Sequence, residues 1–156
     1  MIPVQHIHPM LVHFPIVFIF VLAAFDLVAT LRGASVTGRT TAGNISTALV
    51  VASAVFAVLT YVFGGMALDY AEAGGFASDV AEIHEGLGET VALSLSVWAL
   101  VRAGLWYRDT RVSGAASVTM PLVALAGAGL VTATAYYGGQ LVYELGVNVA
   151  KVALAG

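Results

Sequence analysis

Residues 11–31 read LVHFPIVFIFVLAAFDLVATL, with one histidine and one aspartate as the only ionisable side chains. A helix needs about 20 mostly apolar residues to cross the hydrocarbon core of a bilayer, so this run is long enough to be a transmembrane span. Three further runs have the same character: residues 45–68, 83–106 and 118–143. The chain of 156 residues is 60% hydrophobic and 10% charged, and its mean hydropathy is +0.94. Water-soluble domains carry roughly 25% charged residues, so this composition does not cover a water-facing surface. The expected fold is an all-α membrane protein, one domain over residues 1–156, with four transmembrane helices in an up-down bundle.

The chain has no cysteine. That excludes disulfides, thiolate metal sites, iron–sulfur ligation and covalent haem attachment through this chain. No basic residue precedes the first span, so it reads as a retained anchor rather than a cleavable signal. Five of the six basic residues, Arg32, Arg39, Arg102, Arg108 and Arg111, follow the first and third spans. The connection from Asp69 to Glu85 holds five acids and no lysine or arginine. By the positive-inside rule the basic loops face the cytoplasm and both termini lie outside, as in a multi-pass protein of a bacterial inner membrane. No basic patch suggests nucleic acid.

Three of the four histidines, His6, His8 and His13, stand at the mouth of the first span, and His84 opens the third from the same side. His6, Met10, His13, Val17 and Phe20 share one helical face. His8 lies about 140° round the helix from His13, so both reach one site only if the helix is irregular near Pro9 or Pro15. Glycines cluster at the same depth: Gly64 and Gly65, Gly86 and Gly88, Gly138 and Gly139. Glycine lets a neighbouring helix, or a flat ligand, approach the backbone.

Three functions fit. The leading one is a b-type haem between helices, with His13 and His84 as axial ligands and Gly88, Gly138 and Gly139 opening the slot. His8 then anchors a propionate or ligates a second group. Iron held by two imidazoles has no open position, so the protein is an electron carrier or redox subunit, exchanging electrons with a quinone or a c-type cytochrome. The second is a zinc or copper site of His8, His13, His84 and Asp69. The third is a cofactor-free structural or assembly subunit whose glycine faces drive homo-oligomerisation. Asp26, the one acid deep in a span, is expected to snorkel or to pair with Arg102. Tyr136, Tyr137 and Tyr143 are candidate donors around the site, and His6 reads as interfacial.

His8-Pro9-Met10-Leu11-Val12-His13-Phe14-Pro15 resembles the opening of a bacterial family of four-helix membrane proteins, domain of unknown function 2231. The resemblance continues through Asp26, Gly65-x-x-x-Asp69, His84 and Gly138-Gly139-x-Leu141-Val142-Tyr143-Glu144-x-Gly146-Val147, and so covers nearly the whole chain. Family members fused to or encoded beside c-type cytochrome modules imply a place in membrane redox chemistry. The family pattern includes His8, His13 and His84 but not His6. Relatives often carry histidine where this chain has Leu145, which leaves one fewer candidate ligand and weakens a two-haem arrangement.

Overall fold

The structure is a computed structural model that describes residues 3–149; Lys151 and the end of the C-terminal tail lie outside the described residues. It is all-helical over that range. α1 (Val4–Leu11) and α2 (His13–Leu31) together make the first span. α3 (Thr41–Ala73), α4 (Asp79–Tyr107) and α5 (Thr119–Tyr143) make the other three, with a short 3₁₀ turn at Gly114–Val118 before α5. Among the described residues, four helical stretches are long and apolar enough to cross a membrane, as expected. Lipid-facing positions such as Leu31, Leu93, Val97 and Leu100 are well exposed, which suits hydrocarbon and not water.

The helices extend past the apolar runs because their ends are capped. Thr40 Oγ1 accepts the Gly43 N–H at 2.9 Å, and Ser78 Oγ accepts the Val80 N–H at 3.2 Å. Each side chain satisfies one of the free donors of a helix start. Asp79 and Glu82 lie in the first turn of α4, where the helix dipole favours negative charge. The acidic connection is therefore mostly helix, and only residues 74–78 separate α3 from α4.

The first span is interrupted at Val12. Pro15 has no N–H to offer the Leu11 carbonyl, so the helical ladder loses a bond at that point. The Val12 N–H bonds to the His8 carbonyl at 3.1 Å, while the Ile16 N–H reaches the Val12 carbonyl only at 3.5 Å.

α2 packs against α3 and α5, and α4 packs against the same two, so α2 faces α4 across the diagonal of a square bundle. The core is built from Ile19, Leu22, Val50, Leu95 and Ala124 with alanines on α3 and α5. Small residues there let the backbones close up, which is how helices gain packing energy where lipid supplies no hydrophobic drive.

One polar contact crosses this core. Asp26 on α2 pairs with Arg102 on α4 at 2.8 Å, both side chains fully buried. The guanidinium also donates to the Val36 carbonyl at 2.6 Å and to Ser46 Oγ, and Ser46 Oγ donates to Asp26. It lies 5.6 Å from the Trp98 ring centroid. The expected Asp26–Arg102 pair is therefore formed. The sequence count of five basic loop residues is corrected to four, because the Asp26 carboxylate and the Val36 carbonyl draw Arg102 into the bundle.

The two loops at this end interlock. The Arg39 N–H donates to Asp109 Oδ1 at 2.6 Å, and its guanidinium to the Tyr107 carbonyl at 3.0 Å. The Val112 N–H donates to Thr37 Oγ1 at 2.8 Å, and Trp106 Nε1 donates to Asn44 Oδ1 at 2.7 Å. The bundle is closed at its basic end. Losing one partner of a buried ion pair leaves an unpaired charge and costs about 3–5 kcal/mol. Asp26→Leu or Arg102→Leu is expected to lower the thermal midpoint in detergent steeply, and the double variant by much less than the sum, as read by differential scanning fluorimetry.

Candidate functional site

The opposite end of the bundle holds an open cavity of about 490 Å³, within the usual range for a small-molecule site. His8, His13, His84, Gly88, Gly138, Gly139 and Tyr143 are among its lining residues. Its wall is otherwise mostly small or apolar.

His8 on α1 and His84 on α4 meet across the diagonal. Their ring centroids are 6.1 Å apart and the ring planes are nearly perpendicular, at 86°. Each ring is held by a different helix. His8 Nδ1 lies 2.9 Å from the Thr60 carbonyl on α3, and His84 Nδ1 lies 2.9 Å from the Thr134 carbonyl on α5. A carbonyl oxygen only accepts, so Nδ1 is the donor in both bonds, and a neutral ring then carries its lone pair on Nε2. Among the described residues neither Nε2 has a hydrogen-bond partner.

Why a helix carbonyl is free to accept twice follows from the sequence. In an α-helix the carbonyl of residue i points at the N–H of residue i+4. The residue four after Thr60 is Gly64, and the residue four after Thr134 is Gly138. A Cβ on Gly64 would stand 3.0 Å from both Cε1 and Nδ1 of His8; one on Gly138 would stand 2.9 Å from Cε1 of His84. Glycine leaves the second lone pair of each carbonyl open to the imidazole.

The partner of His84 is thus His8. His13, expected in that role, is exposed and lines the cavity without meeting His84. Val12 keeps helical dihedrals (φ −56°, ψ −29°), so His8 stays about 140° round the helix from His13, and the rotation that turns His13 outward turns His8 to the inner face. His6 is exposed and outside the lining, in keeping with an interfacial position. Asp69 is exposed and away from the cavity. Among the described residues no group of three His, Asp or Glu side chains is placed to hold a metal ion, so the set His8, His13, His84 and Asp69 is not assembled.

The three expected glycines have different parts. Gly138 seats His84. A Cβ on Gly139 would meet nothing within 4 Å, and one on Gly88 would lie 3.8 Å from the Tyr61 ring, so both leave room in the cavity. Of Tyr136, Tyr137 and Tyr143, the last borders the cavity, as Tyr61 on α3 also does; Tyr136 is exposed and stacks edge-on with Tyr137 at 5.4 Å. Leu145 is also exposed and outside the lining.

Thr60 and Thr134 are not among the expected site residues, and Gly64 is expected only as a glycine at the depth of the histidines. A signal for them exists: Thr-x-x-Phe-Gly-Gly at residues 60–65 recurs as Thr-x-x-Tyr-Gly-Gly at residues 134–139. The two threonines act through their carbonyls, and Thr60 Oγ1 is buried without a partner. Thr60→Val removes that unpaired hydroxyl and keeps the carbonyl. It is expected to leave thermal stability within about 1 kcal/mol of the parent or to raise it, as measured by a melting curve in detergent.

No curated protein and no solved structure matches this chain. The match is to a family model described as predicted membrane protein (DUF2231), over residues 5–151. The match takes in both histidines of the pair, both glycine seats and all four membrane-length helices, and the chain belongs to that family.

Proposed function

We propose that this protein holds one b-type haem between His8 and His84 and carries electrons within a bacterial inner membrane, with the haem near the periplasmic face. The observation that carries this reading is the spacing of the two rings. The observed separation is 6.1 Å. Two imidazoles that close would be able to share one metal ion, since each metal–imidazole bond would be about 2.0–2.1 Å long.

The donor count points the same way. Zinc takes three protein ligands at catalytic sites and four at structural ones. Two imidazoles fall short of that, but they complete the axial positions of an iron whose other four donors come from a porphyrin. The Nδ1–H bonds to backbone carbonyls are the outer interactions that fix ring orientation and raise the basicity of a ligating imidazole. The cavity beside the pair, with Gly88 and Gly139 on its wall, offers space for a planar group. His8 and His84 would hold the haem, which would supply one-electron transfer to or from a quinone or a c-type cytochrome.

Orientation rests on four arginines, Arg32, Arg39, Arg108 and Arg111, all in or beside the interlocked loops. The positive-inside rule puts that end in the cytoplasm and both termini in the periplasm. Alkaline phosphatase fused at the C-terminus is expected to be active and green fluorescent protein dark; the reverse pattern would invert the bundle.

The function is tested by the absorption spectrum of protein purified in detergent, with and without dithionite, beside elemental analysis. Sharp reduced α and Soret bands are expected, and His8→Ala or His84→Ala should abolish them while His13→Ala keeps them. Near-perpendicular axial rings should also give the ferric protein a large-gmax low-spin electron paramagnetic resonance signal. Colourless protein with stoichiometric zinc or copper would move the site to a bare metal. Colourless, metal-free protein made with ample haem would leave the structural role.

A further inference from the structure

The two halves of the site are built alike. Ile7-His8-x-x-Leu11 recurs 76 residues later as Ile83-His84-x-x-Leu87. Thr60-x-x-Phe63-Gly64-Gly65 recurs 74 residues later as Thr134-x-x-Tyr137-Gly138-Gly139. The same offsets relate buried positions along each span: Ile19 to Leu95 on the first and third, Ala54 to Ala128 on the second and fourth. They also relate Asp26 to Arg102, so the ion pair joins equivalent positions across the bundle. Packing agrees: exchanging α2 with α4 and α3 with α5 returns the same set of neighbours.

We propose that the chain is a tandem repeat of one helical hairpin about an approximate two-fold axis along the bundle, and that Gly64 and Gly138 are its two equivalent positioning residues. Parallel repeats about an axis along the membrane normal are a known way of building a membrane site at the repeat interface. The histidines face each other across this axis, and the charged pair spans it at the other end. A ligand between His8 and His84 therefore meets the same donor, held in the same way, from both sides. That selects a group with two equivalent faces, such as a planar macrocycle ligated above and below. This part of the inference rests on the haem reading; the repeat and its glycine seats do not.

Gly64 and Gly138 act through the imidazoles rather than on the ligand. An alanine at either place would put a methyl group 2.9–3.0 Å from a ring atom, so the ring must shift against its carbonyl. Alanine is otherwise favourable in a helix, so the substitution itself does not weaken the helical fold. Gly86 and Gly129 serve as controls, because a Cβ at either meets nothing within 4 Å.

The test is ¹⁵N-histidine NMR on the apo full-length protein in detergent, followed by the absorption spectrum after haem loading. In the parent, His8 and His84 should both show the neutral form with the proton on Nδ1. Gly64→Ala should disturb only the His8 signals, Gly138→Ala only the His84 signals, and Gly86→Ala and Gly129→Ala neither. After haem loading, each of the first two should convert the six-coordinate low-spin spectrum toward five-coordinate high-spin, in the same sense. A parent without the Nδ1–H form at both histidines would overturn the seats, and so would two silent alanine variants. A response from only one of them would overturn the equivalence of the halves. Correct apo signals in a protein that takes up no haem would uphold the seats and sink the haem reading alone.

Discussion

An imidazole inside an apolar bundle has no water to bond with, and the position of both site histidines follows from that. A helix has spent its backbone groups on itself, so the donors and acceptors of neighbouring helices are normally unavailable. A carbonyl still has a second lone pair, and it can be reached only where no side chain covers it. Gly64 and Gly138 uncover the carbonyls of Thr60 and Thr134, and the two Nδ1 atoms take them at 2.9 Å. That bond settles the ring tautomer, the ring orientation and which nitrogen is left for chemistry. The cavity matters because it lies beside rings already held this way.

The bundle's other end meets the same constraint with charge. Asp26 and Arg102 are expensive to bury singly, and their mutual contact with Ser46 and the Val36 carbonyl returns most of the lost hydration. Interlocked loops close that end, while the histidine end stays open. The molecule is therefore polarised along its axis. One end is sealed and structural, and the other has room for a ligand at a depth that a partner outside the membrane can approach.

Much of this was legible in the residues, for identifiable reasons. Four apolar runs long enough to span a bilayer admit few arrangements, because short connections force neighbours to be antiparallel. That the histidines gather at one end of the bundle and the loop arginines at the other followed from the alternating direction of the spans. The Asp26–Arg102 pair was legible from cost alone, since one buried acid needs one nearby base. Gly138 drew notice as a glycine level with the histidines, although the reason for it, a seat for one imidazole, was not visible. The repeat of Thr-x-x-aromatic-Gly-Gly was in plain view, but threonine in an apolar helix usually satisfies itself on its own turn, as Thr134 Oγ1 does on the Leu130 carbonyl at 2.9 Å.

What the sequence by itself determined is the class of the fold, the number of spans and the gathering of histidines at one end. These depend on hydrophobic length and charge, which local composition carries. Only the tertiary structure decided that His84 meets His8 and not His13, that Asp69 stands apart, and that Arg102 leaves the loop for the core. Those outcomes depend on how each helix is rotated about its own axis. Pro15 costs the backbone ladder one bond, but Val12 stays helical, so His8 and His13 keep to different faces and the packing decides which one turns inward. Rotation is then set by packing between helices far apart in the chain, through glycines and alanines whose small size leaves little local pattern to read.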